Sequence, residues 1–273
     1  MAPISSEKIA GFWDPITSTI DWCEKNYEVT YYIAEFWNTR SNLTFIIPPL
    51  LAYYRLRHMR IPWIFLCPLL YLCFIGLGSL FFHMTLKYYM QLWDEMFMLW
   101  EALLIIYILT KIADSTITDR LTTKAVLILT GTLMEGAYIF IKEPLFFQLG
   151  FAALHYLATC AGYMVTKHCP CSPKLFWTSV FLNHFAFFLW NIDNIFCSQL
   201  EGIRCKIPFF LVPLSQLHAV WHVIAGFATV ALIFFAIHAH LLASGHFYRI
   251  SLSPLTGLKL VKDKDLPRNG KTL

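Results

Sequence analysis

The stretch GLGSLFFHMTLKYYMQLWDEMFML, residues 76–99, decides how this chain reads. Its first half closes one apolar run on Ser79 and His83, and its second half opens another on Asp94 and Glu95. Ser79 and His83 are four apart, which on a helix stacks them on one face. A second stretch, QLHAVWH at 216–222, opens the last apolar run with His218 and His222, again four apart. Ionisable side chains are costly in hydrocarbon and mark function when they occur there. Three histidines and an aspartate therefore stand at the ends of apolar runs, at one depth.

Outward from these stretches the composition is extreme: 58% hydrophobic, 17% aromatic and only 14% charged residues. Those values exclude an ordinary soluble domain. The reading is an all-α integral membrane protein, a seven-transmembrane helix bundle with an intramembrane zinc site. A span needs roughly 20 apolar residues, and candidates fall near 33–54, 62–83, 91–112, 122–141, 145–166, 175–197 and 217–242. Glu135 interrupts the fourth. Runs of this length predict helices, because barrel strands need only about ten residues. Residues 1–32 then form an exoplasmic or luminal segment, 33–242 the transmembrane catalytic domain, and 243–273 a polar cytosolic tail. No fixed-period repeat or second soluble domain is visible.

Basic residues set the orientation. Arg55, Arg57, Arg60, Lys111, Arg120, Lys124, Lys167, Lys174, Arg249 and the basic residues of the tail fall on one side. Only Lys8, Lys25, Lys87, Lys142, Arg204 and Lys206 fall on the other. The positive-inside rule puts the tail in the cytosol and the N-terminus in a lumen or outside. The net charge of +4 reflects this asymmetry, so nucleic acid is not an expected partner. Residues 1–32 are mixed and acidic, unlike a cleavable signal peptide. Cys23, Cys197 and Cys205 fall on the side where oxidation is permitted, and Cys23 with Cys197 is a candidate bridge. Cys169 and Cys171, in CPC, face the reducing side; with no second pair at zinc-finger spacing they read as a turn.

With that orientation, His83, Asp94, His218 and His222 converge near the exoplasmic leaflet. Catalytic zinc usually takes three protein ligands and leaves a fourth position for water, whose pKa it lowers to about 7. His83, His218 and His222 meet that requirement. Asp94 would take the water's proton and deliver it to the leaving group, and Ser79 could donate to the developing oxyanion. Single histidines such as His155, His184, His238 and His240 read as helix-packing polars, since nothing near them completes a ligand set.

The chain also resembles a known family, the alkaline ceramidases. The stretches that carry the likeness are STIDWCEKNY (18–27), AEFWNTRSN (34–42), GLGSLFFHMTLKYYMQLWDE (76–95), LWNIDNIFC (189–197) and QLHAVWH (216–222), in order over nearly the whole bundle. The DWCE and WNIDNIFC forms are most similar to the alkaline ceramidase 3 branch. The resemblance implies zinc on His83, His218 and His222 with Ser79 and Asp94 as partners, and hydrolysis of the ceramide amide to sphingosine and a fatty acid. It also implies residence in the endoplasmic reticulum or Golgi membrane. It further implies a calcium ion, structural or regulatory, on Asp21, the backbone carbonyl of Trp22, Glu24, Asn26 and Glu35. Hard oxygen donors of that kind suit calcium, although the spacing is not that of an EF-hand loop.

Ceramide and membrane lipids are the expected partners, with no obligate protein partner. Arg40, Asn38, Asn42, Glu101, Asn191, Asp193 and Asn194 either support the site or bond helices together. Two other readings compete. One is a zinc-bearing seven-span receptor of the adiponectin-receptor type with regulated hydrolase activity, for which a cytosolic N-terminus would speak. The other is a non-enzymatic membrane receptor or channel whose polar residues only pack helices.

Overall fold

A computed structural model describes residues 10–169, 171–253 and 257–262. Two short helices, α1 (Phe36–Ser41) and α2 (Leu43–Leu56), lead into the bundle. Six helices follow that are long and apolar enough to cross a membrane: α3 (Trp63–Thr85), α4 (Tyr88–Ala113), α6 (Leu121–Ile141), α7 (Pro144–His168), α8 (Pro173–Ile195) and α11 (Leu217–Ala243). Short helices α5 (Ser115–Thr118), α9 (Cys197–Arg204) and α10 (Val212–Ser215) fill the connections.

The last six predicted runs agree with these helices to within about three residues. The first run, 33–54, does not form one long helix. Thr39, Ser41 and Thr44 turn their hydroxyls back onto the carbonyls of Glu35, Asn38 and Ser41. Such bonds compete with the helix ladder and bend it. Pro48 and Pro49 then remove two amide donors inside α2. The run therefore divides at Asn42. Glu135, which weakened the fourth run on paper, is accommodated by accepting a 3.1 Å bond from the Trp100 indole.

The last helix, α11, is the axis of the bundle and packs on α1, α2, α3, α4 and α8. Its alanine-rich interior face, with Ile233, Phe235, Ala236, Ile237 and Ala239, shares one core with Leu69, Leu72 and Leu109 from α3 and α4. Gly226 brings it against α2; a Cβ there would lie 3.1 Å from the Thr44 carbonyl oxygen. The hairpin α3–α4 turns at Leu86, a buried residue with φ 48°. The N-terminal segment grips that turn: Thr17 and Ser18 amides donate to the Leu86 carbonyl at 3.1 and 3.0 Å. The same segment is joined to the start of α9 by a Cys23–Cys197 disulfide across 174 residues of sequence.

The tail corrects the expectation of a plain polar extension. Strands β1 (Tyr248–Ser253) and β2 (Gly257–Lys262) pair antiparallel in an otherwise helical protein. The alternation of Tyr248, Ile250 and Leu252 with polar neighbours is a strand pattern. Its apolar side packs on the bundle through Tyr248, Leu258 and Leu260, and His238 bonds the Tyr248 carbonyl at 2.6 Å. The rest of the proposed tail, 254–256 and 263–273, and residues 1–9 of the N-terminal segment lie outside the described residues. In CPC, the Cys171 amide bonds the Cys169 carbonyl at 2.7 Å, the expected tight turn; its middle residue, Pro170, lies outside the described residues.

Gly78 sets the approach of α3 to α4. A Cβ at Gly78 would sit 2.7 Å from Trp93 Cδ1 and 3.0 Å from the Asp94 amide nitrogen. Gly78→Ala is expected to destabilise by about 1–3 kcal/mol through overpacking. Gly136→Ala, whose Cβ meets nothing within 4 Å, should instead stabilise by about 0.5–1 kcal/mol. Thermal unfolding in detergent compares the two, and equal behaviour would contradict the close contact at Gly78.

Candidate metal centre

Two helix ends meet under the N-terminal segment. His83 comes from the last turn of α3, and His218 and His222 from the first two turns of α11. The imidazole centroids lie 5.0, 4.9 and 4.6 Å apart for the pairs 83–218, 83–222 and 218–222. One ring nitrogen from each can be chosen so that all three lie within 4.8 Å of one another. Among the described residues this is the only group of three or more His, Cys, Asp or Glu so gathered.

Neighbouring side chains engage one nitrogen of His83 and of His222 and hold the ring plane of His218. The Glu35 carboxylate bonds His83 Nδ1. Ser41 Oγ lies 2.7 Å from His222 Nδ1. Trp22 stacks on the His218 ring at 3.9 Å between centroids and 26° between planes. A metal-bound imidazole typically engages its second nitrogen in such a bond. The inward atoms tell the same story: His218 Nδ1 and His222 Nε2 are buried with no hydrogen-bond partner. Buried polar atoms left without partners cost about 1–3 kcal/mol each, so imidazole-imidazole packing alone accounts poorly for them. The donor set fits one metal ion, and three imidazoles with neutral ring nitrogens suit zinc chemistry.

Asp94 and Ser79 flank the triad on the α3–α4 side. Ser79 lies one turn before His83 on α3, and its hydroxyl faces the Asp94 carboxylate. Both side chains are buried, and Asp94 Oδ1 has no partner. Next to Asp94, Glu95 does not join it: Gln91 Nε2 lies 3.3 Å from both Glu95 carboxylate oxygens, and the same amide bonds Tyr138 and Thr19. Glu95 belongs to a separate polar knot that ties α4 to α6 and to the N-terminal segment.

The acidic segment forms a second cluster above the triad. Asn26 Nδ2 donates to Asp21 at 3.1 Å. Glu24 accepts from the Trp37 and Asn38 amides at 2.7 and 2.8 Å. Glu35, fully buried, accepts from the Trp22 amide at 3.2 Å and from Asn38 Nδ2 at 3.1 Å besides its bond to His83. Burial, and then the nearby charge of Glu35, push the Glu24 carboxyl up to about 8 despite its two amide bonds. A divalent cation would relieve that repulsion, and Asn26 Oδ1, buried without a partner, adds a neutral oxygen donor. The set of carboxylates and amide oxygen fits calcium chemistry.

Of the polar residues left between two readings, Asn38 and Asn42 fall in this network, with Asn42 Nδ2 bonding the Asn38 carbonyl at 2.9 Å. Asn191 only bonds back within its own helix, to the Phe187 carbonyl. Sequence reasoning missed three contacts to the rings: Ser41 on His222, the Trp22 indole on His218, and Glu35 on His83 rather than on a cation alone. For Glu35 alone a signal was present, in AEFWNTRSN, where Glu35, Asn38 and Asn42 recur at spacings of three and four and define one polar helix face.

The comparisons with known proteins agree with this geometry. The family described as Ceramidase matches residues 14–250, a range that contains every residue of both clusters. The chain is 37% identical over 243 residues to alkaline ceramidase 3 of Mus musculus, covering 89% of this chain and 90% of that protein. It is 30% identical to an alkaline ceramidase of Arabidopsis thaliana over 81% of this chain and 84% of that one. It is likewise 30% identical to alkaline ceramidase 1 of Homo sapiens over 80% of this chain and 83% of the relative. By the extent of these matches, with a buried three-histidine centre inside a multi-helix membrane bundle, the chain is a hydrolase that belongs to the alkaline ceramidase family.

Proposed function

We propose that this enzyme hydrolyses the amide bond of ceramides inside the bilayer, yielding sphingosine and a free fatty acid, with zinc on His83, His218 and His222. The observation that carries the reading is the buried imidazole triad with two unpartnered ring nitrogens at the end of an apolar bundle. Alkaline ceramidases are its relatives, and a two-chain lipid with one amide suits a pocket that is apolar except for a few placed polar groups.

In this reading α1 and α2 together cross the membrane as a seventh span. The N-terminus is luminal, the C-terminus cytosolic, and the enzyme resides in the endoplasmic reticulum or Golgi. Bound to the triad, zinc supplies Lewis acidity to the amide carbonyl and to the attacking water. Asp94 removes the proton from that water as its oxygen bonds to the acyl carbon. As the carbon–nitrogen bond breaks, the same carboxyl passes the proton to the departing amine. Ser79 holds Asp94 in the ground state and donates to the oxygen on which charge develops. Glu35 and Ser41 keep His83 and His222 turned inward. Calcium, on Asp21, the Trp22 carbonyl, Glu24, Asn26 and Glu35, holds the segment that covers the centre and plays no part in bond breaking.

Purified protein should contain one zinc per chain, and His218→Ala should lose both the metal and fatty-acid release from ceramide. Asp94→Asn should keep zinc and lose about 10²–10⁴ in kcat; metal analysis beside a lipid-product assay decides, and full turnover by that variant would remove Asp94 from the proton transfer.

Calcium at 100 times its Kd should raise thermal stability by about 2.7 kcal/mol, a shift of several degrees in Tm that a calcium-selective chelator reverses. Glu24→Gln should abolish the shift while leaving zinc in place. A calcium response unchanged in that variant would move the ion elsewhere.

A further inference from the structure

We propose that Asp193 and Arg204 are a positioning pair for the triad, holding the first turn of α11 in register with the Trp22–Cys23 strap so that His218 stays turned into the centre. The proposal rests on the zinc reading above and adds two residues to it that touch neither the triad's inward nitrogens nor the substrate.

The first turn of a helix leaves amides with no intrahelical acceptor. In α11 those amides include Leu217 and His218, and the preceding residue, Gln216, makes no side-chain cap. Asp193, in the last turn of α8, brings a carboxylate close to the backbone amides of Leu217, His218 and Cys23, within electrostatic reach, while its Oδ2 makes no hydrogen bond. Negative charge at a helix N-terminus is favourable because the amides there carry partial positive charge. Asp193 is 1% exposed, so its charge needs a partner. That partner is Arg204, whose Nη2 lies 3.5 Å from Asp193 Oδ1.

Arg204 does more than neutralise. Its Nη1 donates to the Cys23 carbonyl at 2.6 Å, and its Nη2 donates to the Ser215 carbonyl at 3.0 Å. One planar fork thus joins α8, the turn before α11 and the N-terminal strap, a task that the point charge of lysine cannot repeat. The residue after Trp22 is the one it grips. The Cys23–Cys197 disulfide tethers the strap, and the Trp22 amide is held by Glu35. The bond from Arg204 to the Cys23 carbonyl adds a hold on the next residue and, with these two, keeps the indole flat on His218. Both faces of His218's placement, the helix turn beneath it and the indole on it, pass through these two side chains.

The test uses the full chain in detergent with zinc bound. Zinc content as purified, the rate of zinc loss to excess chelator, the visible spectrum after cobalt exchange, and thermal unfolding are measured for wild type, Asp193→Asn, Arg204→Gln and Arg204→Lys. Loss of residues that orient a ligand typically costs 10–100-fold in metal affinity. Zinc loss is therefore expected to accelerate at least ten-fold in Asp193→Asn and Arg204→Gln, with an altered cobalt spectrum and a lower kcat at little-changed KM. Arg204→Lys should resemble Arg204→Gln, and the double variant should lose no more than either single one. Zinc release and a cobalt spectrum both unchanged from wild type in Asp193→Asn and Arg204→Gln would overturn the positioning role while leaving the zinc reading intact. Wild-type protein devoid of zinc would overturn the zinc reading itself.

Discussion

The bond between the Glu35 carboxylate and His83 is the interaction on which the rest of this structure turns. Glu35 stands where the N-terminal segment becomes helix, and it is shielded completely from solvent. A lone charge in that position would be prohibitive. It is tolerable because the Trp22 amide, the Asn38 carboxamide and the imidazole surround it. In satisfying one carboxylate the fold joins the acidic segment to the imidazole triad, so the two clusters cannot move independently.

The surrounding bundle is arranged to keep that polar region dry and small. Apolar contacts of α11 with α3, α4 and α8 fill the interior from the triad toward the hairpin end, while the polar side chains concentrate at the opposite end under the strap. Small residues supply the closeness that this requires. Gly226 lets the helix bearing two histidines touch the start of α2, next to Ser41, and Thr44 there bonds the His222 carbonyl at 3.2 Å. Gly78 does the same for α3 and α4, beside Asp94.

Much of this was legible in the residues alone. The lengths of the last six apolar runs gave the helices, since hydrocarbon thickness leaves little choice of span. The pairs Ser79 with His83 and His218 with His222 gave the triad's faces, because helical spacing of four is geometric. The break at Asn42 was not legible: it arises from hydroxyls that bond back to the helix ladder, and a hydropathy count treats threonine and serine there as near neutral. Nor was the β-hairpin anticipated, since its alternation is short and lies among charges. The contacts of Ser41, Trp22 and Arg204 were hidden for a different reason. Each joins residues far apart in sequence, and no local period encodes them.

One consequence concerns the order in which the molecule is made. His83 and the acidic segment emerge early in synthesis, whereas His218 and His222 arrive only with the final long helix, and Cys197 only shortly before it. A ribosome-bound fragment ending anywhere before α11 holds at most one imidazole of the three, and one ending before Cys197 also has an unbridged strap. Such a nascent chain lacks a hydrolytic centre, so lipid cleavage cannot begin before the last helix has been inserted and the polypeptide has closed on itself.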